Sequence, residues 1–121
     1  TLEPSSAASD VYKRQALDRD YRMKPRAPLP CPEMAIIRSK IDSLDKKIVK
    51  MLAERQRLVE AAGKVKPSRD TVRDEARIQE VLDLVLTEAR LHNLSIAIAE
   101  PVWRQLIESS ISLEYSIFDE R

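Results

Sequence analysis

Arg55 and Lys66 occupy one face of a predicted helix that is otherwise apolar. The apolar members of that face are Ile48, Leu52, Val59 and Ala62. Eleven residues separate the two cations, and at about 100° per residue this is about 20° beyond three full turns, so both point the same way. Because arginine is rarely buried unless it is paired, Arg55 either extends its charge to solvent, pairs with Glu54 or Glu60, or belongs to a binding site.

Polar side chains also interrupt the apolar faces of the other predicted helices. Arg38 falls on the stripe of the first helix, and Arg77 stands at the start of the stripe of the second. Ser110 and Glu114 are one turn apart on the third. A desolvated cluster of fixed cations favours a polyanionic ligand. A small dicarboxylate fits better than a nucleotide, because the chain has few aromatic residues and no glycine-rich phosphate loop.

Arg38 and Arg55 are too far apart to bind one small molecule from a single chain. Seventeen residues separate them, which is about 25 Å along a straight helix. Two such helices running antiparallel in a homodimer would bring Arg38 of one chain close to Arg55 of the other. The spacing therefore predicts a homodimer in which each binding site is built from both chains.

The first predicted helix is long for a chain of 121 residues. Apolar residues recur at spacings of three and four from Ile37 to Ala62, the pattern of an amphipathic helix. Nothing interrupts it before Pro67, which disfavours helix at the preceding residue. A helix over residues 33–65 would be about 50 Å long. A compact domain of this size cannot cover such a helix, so its length also predicts a partner.

Two shorter helices follow a polar loop at residues 67–71. The second is predicted to run from near Asp74, whose carboxylate suits a helix N-terminus, to near His92. Ser95 is the predicted N-cap of the third, but Pro101 leaves two alternatives open, a helix that begins at the proline or one that kinks there. The elements together predict an all-α fold with three helices per chain.

The composition excludes several classes of protein. One glycine in the whole chain argues against a β-rich fold with tight hairpins, and a net charge of +1 argues against a nucleic-acid binder. A single cysteine and a single histidine disfavour disulfides and metal centres, so no bound metal is expected. No apolar run reaches the length of a membrane helix and no secretory signal is recognisable, so a cytoplasmic protein without membrane contact is expected.

Residues 1–32 differ in character from the rest of the chain. They hold five of the seven prolines and show no helical period, which predicts a disordered tail. Residues 1–15 resemble translated adapter or cloning sequence rather than evolved protein. The predicted helical domain comprises residues 33–121.

Five short motifs contain an ordered series of Arg, Arg, Lys, Asp-x-x-Arg and Ser. They span Ile37 to Asp45, Leu52 to Arg55, Gly63 to Lys66, Val72 to Arg77 and Leu106 to Ile111. Over roughly residues 34–118 they resemble the all-helical, type II chorismate mutase family, including the related isochorismate pyruvate lyases. The resemblance implies an intertwined antiparallel homodimer that converts chorismate to prephenate, at the branch of aromatic amino acid biosynthesis toward phenylalanine and tyrosine.

The resemblance also implies roles for the polar residues. Arg38, reaching across from the partner chain, and Arg55 would hold substrate carboxylates. Lys66 would contact a carboxylate and the ether oxygen of chorismate. Ser110 would hydrogen-bond a carboxylate.

Four other positions line the implied pocket. Asp74 and Arg77 would lie at the start of the second helix. Glu114 stands where the family usually has glutamine, and it would have to be protonated to donate to the ether oxygen. Ile78 stands where many mutases have a glutamate that accepts from the ring hydroxyl, whereas the lyases have an apolar residue there.

The implied reaction is a pericyclic rearrangement within one molecule, which needs no nucleophile, metal or organic cofactor. Arg55, Lys66 and Glu114 are the expected catalytic residues, which hold the dianion in its reactive shape and stabilise charge on the ether oxygen. One alternative is an isochorismate pyruvate lyase, which releases salicylate and pyruvate. A more distant one is a non-catalytic helical dimerisation module, which explains the long helix but not its interior cations.

Overall fold

A computed structural model describes residues 32–121 of the chain. Within this range the chain forms three α-helices and one short 3₁₀ turn, with no strand. The prediction of an all-α fold with three helices is therefore confirmed. The predictions of a disordered tail and of an adapter-like segment lie outside the described residues, apart from Pro32, which is helical.

The first helix, α1, runs from Pro32 to Val65 and is 34 residues long. It begins one residue earlier than predicted, because proline at the first helical position loses no hydrogen bond and has a suitable φ. Glu33 places negative charge in the first turn, where the helix dipole favours it. The helix ends before Pro67, as predicted.

A boundary within α1, between Ser43 and Leu44, divides the described residues into two units, 32–43 and 44–121. In the first unit, the side chains of residues 32–43 are all exposed. The second unit contains the rest of α1, the other two helices and the connections between them. It is the unit that carries the candidate site.

The second helix, α2, spans Glu75–Leu91 and follows a 3₁₀ turn at Arg69–Thr71. Asp74 is its N-cap, and the Asp74 carboxylate accepts a hydrogen bond from the backbone N–H of Arg77 at 3.2 Å. The helix ends in a Schellman motif. Asn93 adopts a left-handed φ of 57°, and the N–H of Leu94 donates to the carbonyl of Ala89 at 2.8 Å.

The third helix, α3, spans Ile96–Asp119. Ser95 caps it as predicted, accepting from the N–H of Ala97 at 3.2 Å. The alternative in which the helix begins at Pro101 is wrong, because Pro101 lies inside the helix. The proline has no N–H to donate to the carbonyl of Ala97, but the Ser95 cap and the following turns hold the helix through this position.

The buried apolar residues of the second unit lie on α2, α3 and the connection before α2. They are Val72, Leu82, Ala89, Ala99 and Ile107. By contrast, α1 leaves apolar side chains exposed along the second unit, with Leu44 at 56%, Met51 at 67% and Leu58 at 72% exposure. Such extended apolar exposure is typical of surfaces that bind another chain. No helix within residues 32–121 is apolar enough over sufficient length to span a membrane.

The helices α1 and α3 meet closely at Gly63. A Cβ atom at this position would lie 2.9 Å from Cβ and Cγ2 of Ile117 and 3.1 Å from the carbonyl oxygen of Glu114. Nearby, the guanidinium of Arg121 donates to the carbonyls of Gly63 at 3.3 Å and Lys64 at 2.8 Å. These contacts fix the C-terminal end of α1 against α3.

We expect Gly63→Ala to lower the free energy of unfolding, measured by urea denaturation. Overpacking of a tight contact costs about 1–3 kcal/mol, which exceeds the helix-propensity gain of about 1 kcal/mol from replacing glycine by alanine. Ala61→Gly, at an exposed position in the same turn, measures the propensity effect alone. Stabilisation of Gly63→Ala by that same amount would contradict the close approach of α1 and α3.

Candidate functional site

A cavity of about 780 Å³ lies between the three helices of the second unit. Seven predicted site residues line it: Arg55, Lys66, Asp74, Arg77, Ile78, Ser110 and Glu114. Val59, Val81 and Ile111 are among the apolar residues that complete the wall. The sequence predicts these polar groups on three separate helices or just beyond the helix ends. The fold brings them together around one cavity.

Arg55 is half-buried and points toward α3. Its Nη1 donates to Ser110 Oγ at 2.8 Å, so the two residues that were expected to bind carboxylates are in direct contact. The local carboxylate Glu60 accepts instead from Gln56 at 3.1 Å. Burial lowers the pKa of Arg55, and the positive charge of Arg77 lowers it further. An anion in the cavity would offset both effects.

Lys66 lies just beyond the end of α1, where α3 and the following connection meet it. Its Nζ is 2.6 Å from Glu114 Oε2 and donates to the backbone carbonyl of Val72 at 3.1 Å. Glu114 is only 7% exposed. At 2.6 Å the contact is a charge pair between the ammonium and the carboxylate.

An ammonium has three N–H donors. The contacts of Lys66 with Glu114 and Val72 occupy two directions around its nitrogen. A third donor can therefore serve a ligand in the cavity. The flexible Lys66 side chain is held by the Glu114 carboxylate and by the Val72 carbonyl. Its positive charge is therefore fixed at a defined position.

Asp74, Arg77 and Ile78 form the wall at the start of α2. The Asp74 carboxylate caps this helix, and Arg77 Nη1 donates to Glu80 Oε1 at 3.3 Å on the exposed side. Ile78 is half-buried and presents no hydrogen-bonding group. This part of the cavity therefore offers a carboxylate and a guanidinium next to an apolar surface.

Arg38 is the remaining predicted site residue. It belongs to the first unit, and its side chain is exposed there. Its expected role as a ligand contributed across a dimer stays a prediction.

The sequence analysis did not identify two groups that hold the site residues in place. The backbone carbonyl of Val72 is a partner of Lys66, and no side-chain pattern identifies a carbonyl. Arg73 joins three elements, since it contacts Glu75 on α2 and Glu108 on α3. Its position beside Asp74 in the motif of residues 72–77 was the available signal, but an arginine in a polar loop is usually solvated.

The fold and site together define an all-helical protein whose cavity suits a small anion. Partly desolvated cations face apolar walls, and a hydroxyl adds a hydrogen-bond donor. Within residues 32–121 no group of three His, Cys, Asp or Glu side chains is arranged to hold a metal ion. The arrangement can bind, orient and stabilise negative charge.

A family model described as chorismate mutase type II matches residues 37–115. The match covers more than half of the 121 residues and includes all eight predicted site positions. The chain therefore belongs to the chorismate mutase type II family, which confirms the resemblance seen in its motifs.

Individual relatives agree with this membership. A chorismate mutase from Methanocaldococcus jannaschii is 29% identical over 89 residues, covering 73% of this chain and 90% of the relative. A bifunctional chorismate mutase/prephenate dehydratase from Escherichia coli strain K12 is 31% identical over 85 residues, or 69% of this chain. A protein of the same description from Shigella flexneri is also 31% identical. The chain spans 22% of the length of each bifunctional relative.

We expect the carboxyl group of Glu108 to titrate below the ordinary range for glutamate. Its hydrogen bonds from Arg73 lower its pKa, so the stabilisation from this pair is present above the unfolded-state pKa and is lost as pH falls through the folded-state pKa. In Arg73→Gln the pKa of Glu108 should rise toward its usual value, as measured by NMR titration of the side-chain carboxyl carbon.

Arg90→Gln is the control for this titration, because it removes an exposed arginine from the end of α2. It should leave the Glu108 titration unchanged. Equal titration midpoints for Glu108 in the wild type and in Arg73→Gln would show that the bidentate contact does not persist in solution.

Proposed function

We propose that this chain is an isomerase that catalyses the rearrangement of chorismate to prephenate. The principal support is the cavity in which Lys66 and Arg55 are held by Glu114 and Ser110. Family membership and the names of the relatives support the same substrate. Chorismate carries two carboxylates, which match the cationic groups around the cavity.

The catalytic contribution is restraint of a flexible molecule. Arg55 and Ser110 bind one carboxylate of chorismate. Lys66 and Arg38 of the other chain hold the second carboxylate, so the reacting ends of the molecule stay close together. Well-oriented reactions within one molecule gain several kcal/mol in this way, with effective molarities of about 10⁵ M or more. Such a reaction requires no protein nucleophile.

Lys66 stabilises the charge that grows on the ether oxygen as the carbon–oxygen bond breaks. Its ammonium is already oriented before the reaction, so little reorganisation accompanies the transition state. Glu114 fixes the direction of the ammonium through the 2.6 Å charge pair. Donation from Glu114 to the ether oxygen, as from the usual glutamine of the family, would require the carboxylate to take up a proton and so to give up its charge pair with Lys66.

The proposed enzyme is a homodimer in which Arg38 of each chain completes the cavity of the other. The 34-residue α1 and its exposed apolar side chains support this assembly. A second cavity of about 360 Å³ shares Arg55 and Ser110 with the first and has Val49 and Leu52 in its lining. A second copy of α1 would cover these apolar surfaces.

Ile78 supports a second candidate function, that of an isochorismate pyruvate lyase. A site that hydrogen-bonds a substrate hydroxyl discriminates strongly against a molecule that lacks or displaces it. Ile78 provides no such acceptor at the start of α2, so it does not select against isochorismate. The carboxylate of Asp74 lines the same wall and can accept a hydrogen bond from the ring hydroxyl of chorismate. For this reason we favour the mutase over the lyase.

Incubation with chorismate and isochorismate in separate reactions tests the proposal. Prephenate from chorismate supports the mutase, whereas salicylate and pyruvate from isochorismate without prephenate from chorismate would establish the lyase. Ile78→Glu should increase turnover of chorismate and reduce any turnover of isochorismate. Absence of both activities in a folded dimer would favour a non-catalytic module.

We expect Lys66→Ala to lower kcat by about 10²–10³, the usual effect of losing one donor that stabilises transition-state charge. KM should change less, because the interaction is strongest in the transition state. Steady-state kinetics with chorismate provide both values. Lys64→Ala, an exposed lysine in the last turn of α1, is the matched control. A rise in KM alone for Lys66→Ala would show that Lys66 only binds the substrate.

Subunit mixing tests the shared site. Arg38→Ala and Arg55→Ala homodimers should each be nearly inactive, because every cavity lacks one arginine. After random subunit exchange half of the dimers are mixed, and each has one intact cavity, so activity should reach about a quarter of the wild-type value. A fully active monomer, or no recovery after verified exchange, would contradict the shared site.

A further inference from the structure

The connection from α1 to α2 supplies the backbone carbonyl that holds Lys66. Val72 provides this carbonyl, 3.1 Å from Lys66 Nζ, and its side chain is only 3% exposed. Residue 73 follows immediately. Any displacement of this short segment would move the carbonyl and, with it, the ammonium.

Arg73 attaches this segment to both neighbouring helices. Its Nη1 and Nη2 donate to Glu108 at 3.0 and 2.9 Å, a bidentate contact with α3. Its Nε donates to Glu75 at 2.6 Å, in the first turn of α2. The planar guanidinium therefore fixes the segment relative to two helices in a geometry that a lysine could not reproduce.

The other end of the segment is attached to α3 as well. Arg69 donates to both carboxylate oxygens of Asp119, at 2.9 and 3.4 Å, and lies over the ring of Tyr115 at 4.5 Å. The carbonyl of Val72 thus lies between two anchors on the helix that carries Glu114. The two partners of Lys66, Glu114 and the Val72 carbonyl, are therefore held in fixed positions relative to α3.

We propose that Arg73 is a positioning residue for the rearrangement, acting by holding the Val72 carbonyl and through it the Lys66 ammonium. It need not touch the substrate. This inference rests on the proposed function of the cavity, since it assigns Arg73 to the same reaction.

A merely structural role for Arg73 would have a different signature. Exposed ion pairs contribute little to stability, and the Arg73 and Glu108 side chains are 39% and 53% exposed. The loss of Arg73 should therefore reduce catalysis more than it reduces stability. Arg104, which pairs with Glu100 at 2.8 Å within α3, offers a matched exposed pair outside the cavity lining.

Kinetics of Arg73→Gln, Arg73→Lys and Arg104→Gln with chorismate test the proposal. Displacement of a catalytic group by about 1 Å can reduce rate up to about 10²-fold, and we expect roughly a tenfold fall in kcat for Arg73→Gln, with little change in KM. Arg73→Lys should recover part of the loss, and Arg104→Gln should match the wild type. Equal kcat values for Arg73→Gln and Arg104→Gln would overturn the assignment.

The double variant Lys66→Ala/Arg73→Gln identifies the route of the effect. If Arg73 acts through Lys66, its loss should lower kcat little further once Lys66 is gone. The same fold decrease in both backgrounds would show that Arg73 acts independently of Lys66 and would overturn the proposal.

Amide hydrogen exchange provides a readout that does not need activity. The hydrogen-bonded amides of Thr71 and Val72 should exchange faster in Arg73→Gln than in Arg104→Gln, because the segment loses one of its two attachments to α3. Unchanged exchange would overturn the positioning role even if the wild type makes prephenate. Failure of the wild type to make prephenate would instead remove the proposed function, while faster exchange would still establish the attachment by Arg73.

Discussion

Glu114 is buried on α3, and its carboxylate meets the ammonium of Lys66 at 2.6 Å just beyond the end of α1. A carboxylate buried to this degree is unfavourable without a cationic partner. The pair therefore requires the end of α1 to stay beside α3. The close approach at Gly63 and the carbonyl contacts of Arg121 satisfy that requirement.

The charge balance of the cavity follows from this pair. Glu114 neutralises Lys66 locally and Asp74 is engaged in capping α2. Arg77 pairs with Glu80 on its exposed side, whereas Arg55 donates to the neutral hydroxyl of Ser110. Burial lowers the pKa of Arg55, and the charge of Arg77 lowers it further. A small anion in the cavity would offset this unfavourable arrangement.

Helix α1 contributes to the cavity and, in the proposed dimer, would also form the interface. Its C-terminal part supplies Arg55 and leads directly to Lys66, while its exposed apolar side chains remain uncovered by the rest of the second unit. In the proposed dimer the same helix would also carry Arg38 to the other cavity. Assembly and catalysis would then depend on one element, because covering its apolar surface would complete the site.

The sequence by itself determined the helices and identified seven residues that line the cavity. Caps such as Asp74 and Ser95 act locally, and polar residues on apolar faces are visible as breaks in a period of 3.6 residues. Only the tertiary structure decided that Pro101 is kept inside a helix, that Val72 offers its carbonyl to Lys66, and that Arg73 reaches Glu108, 35 residues away. Contacts between distant residues depend on how the helices pack, and helical periodicity contains no information about that packing.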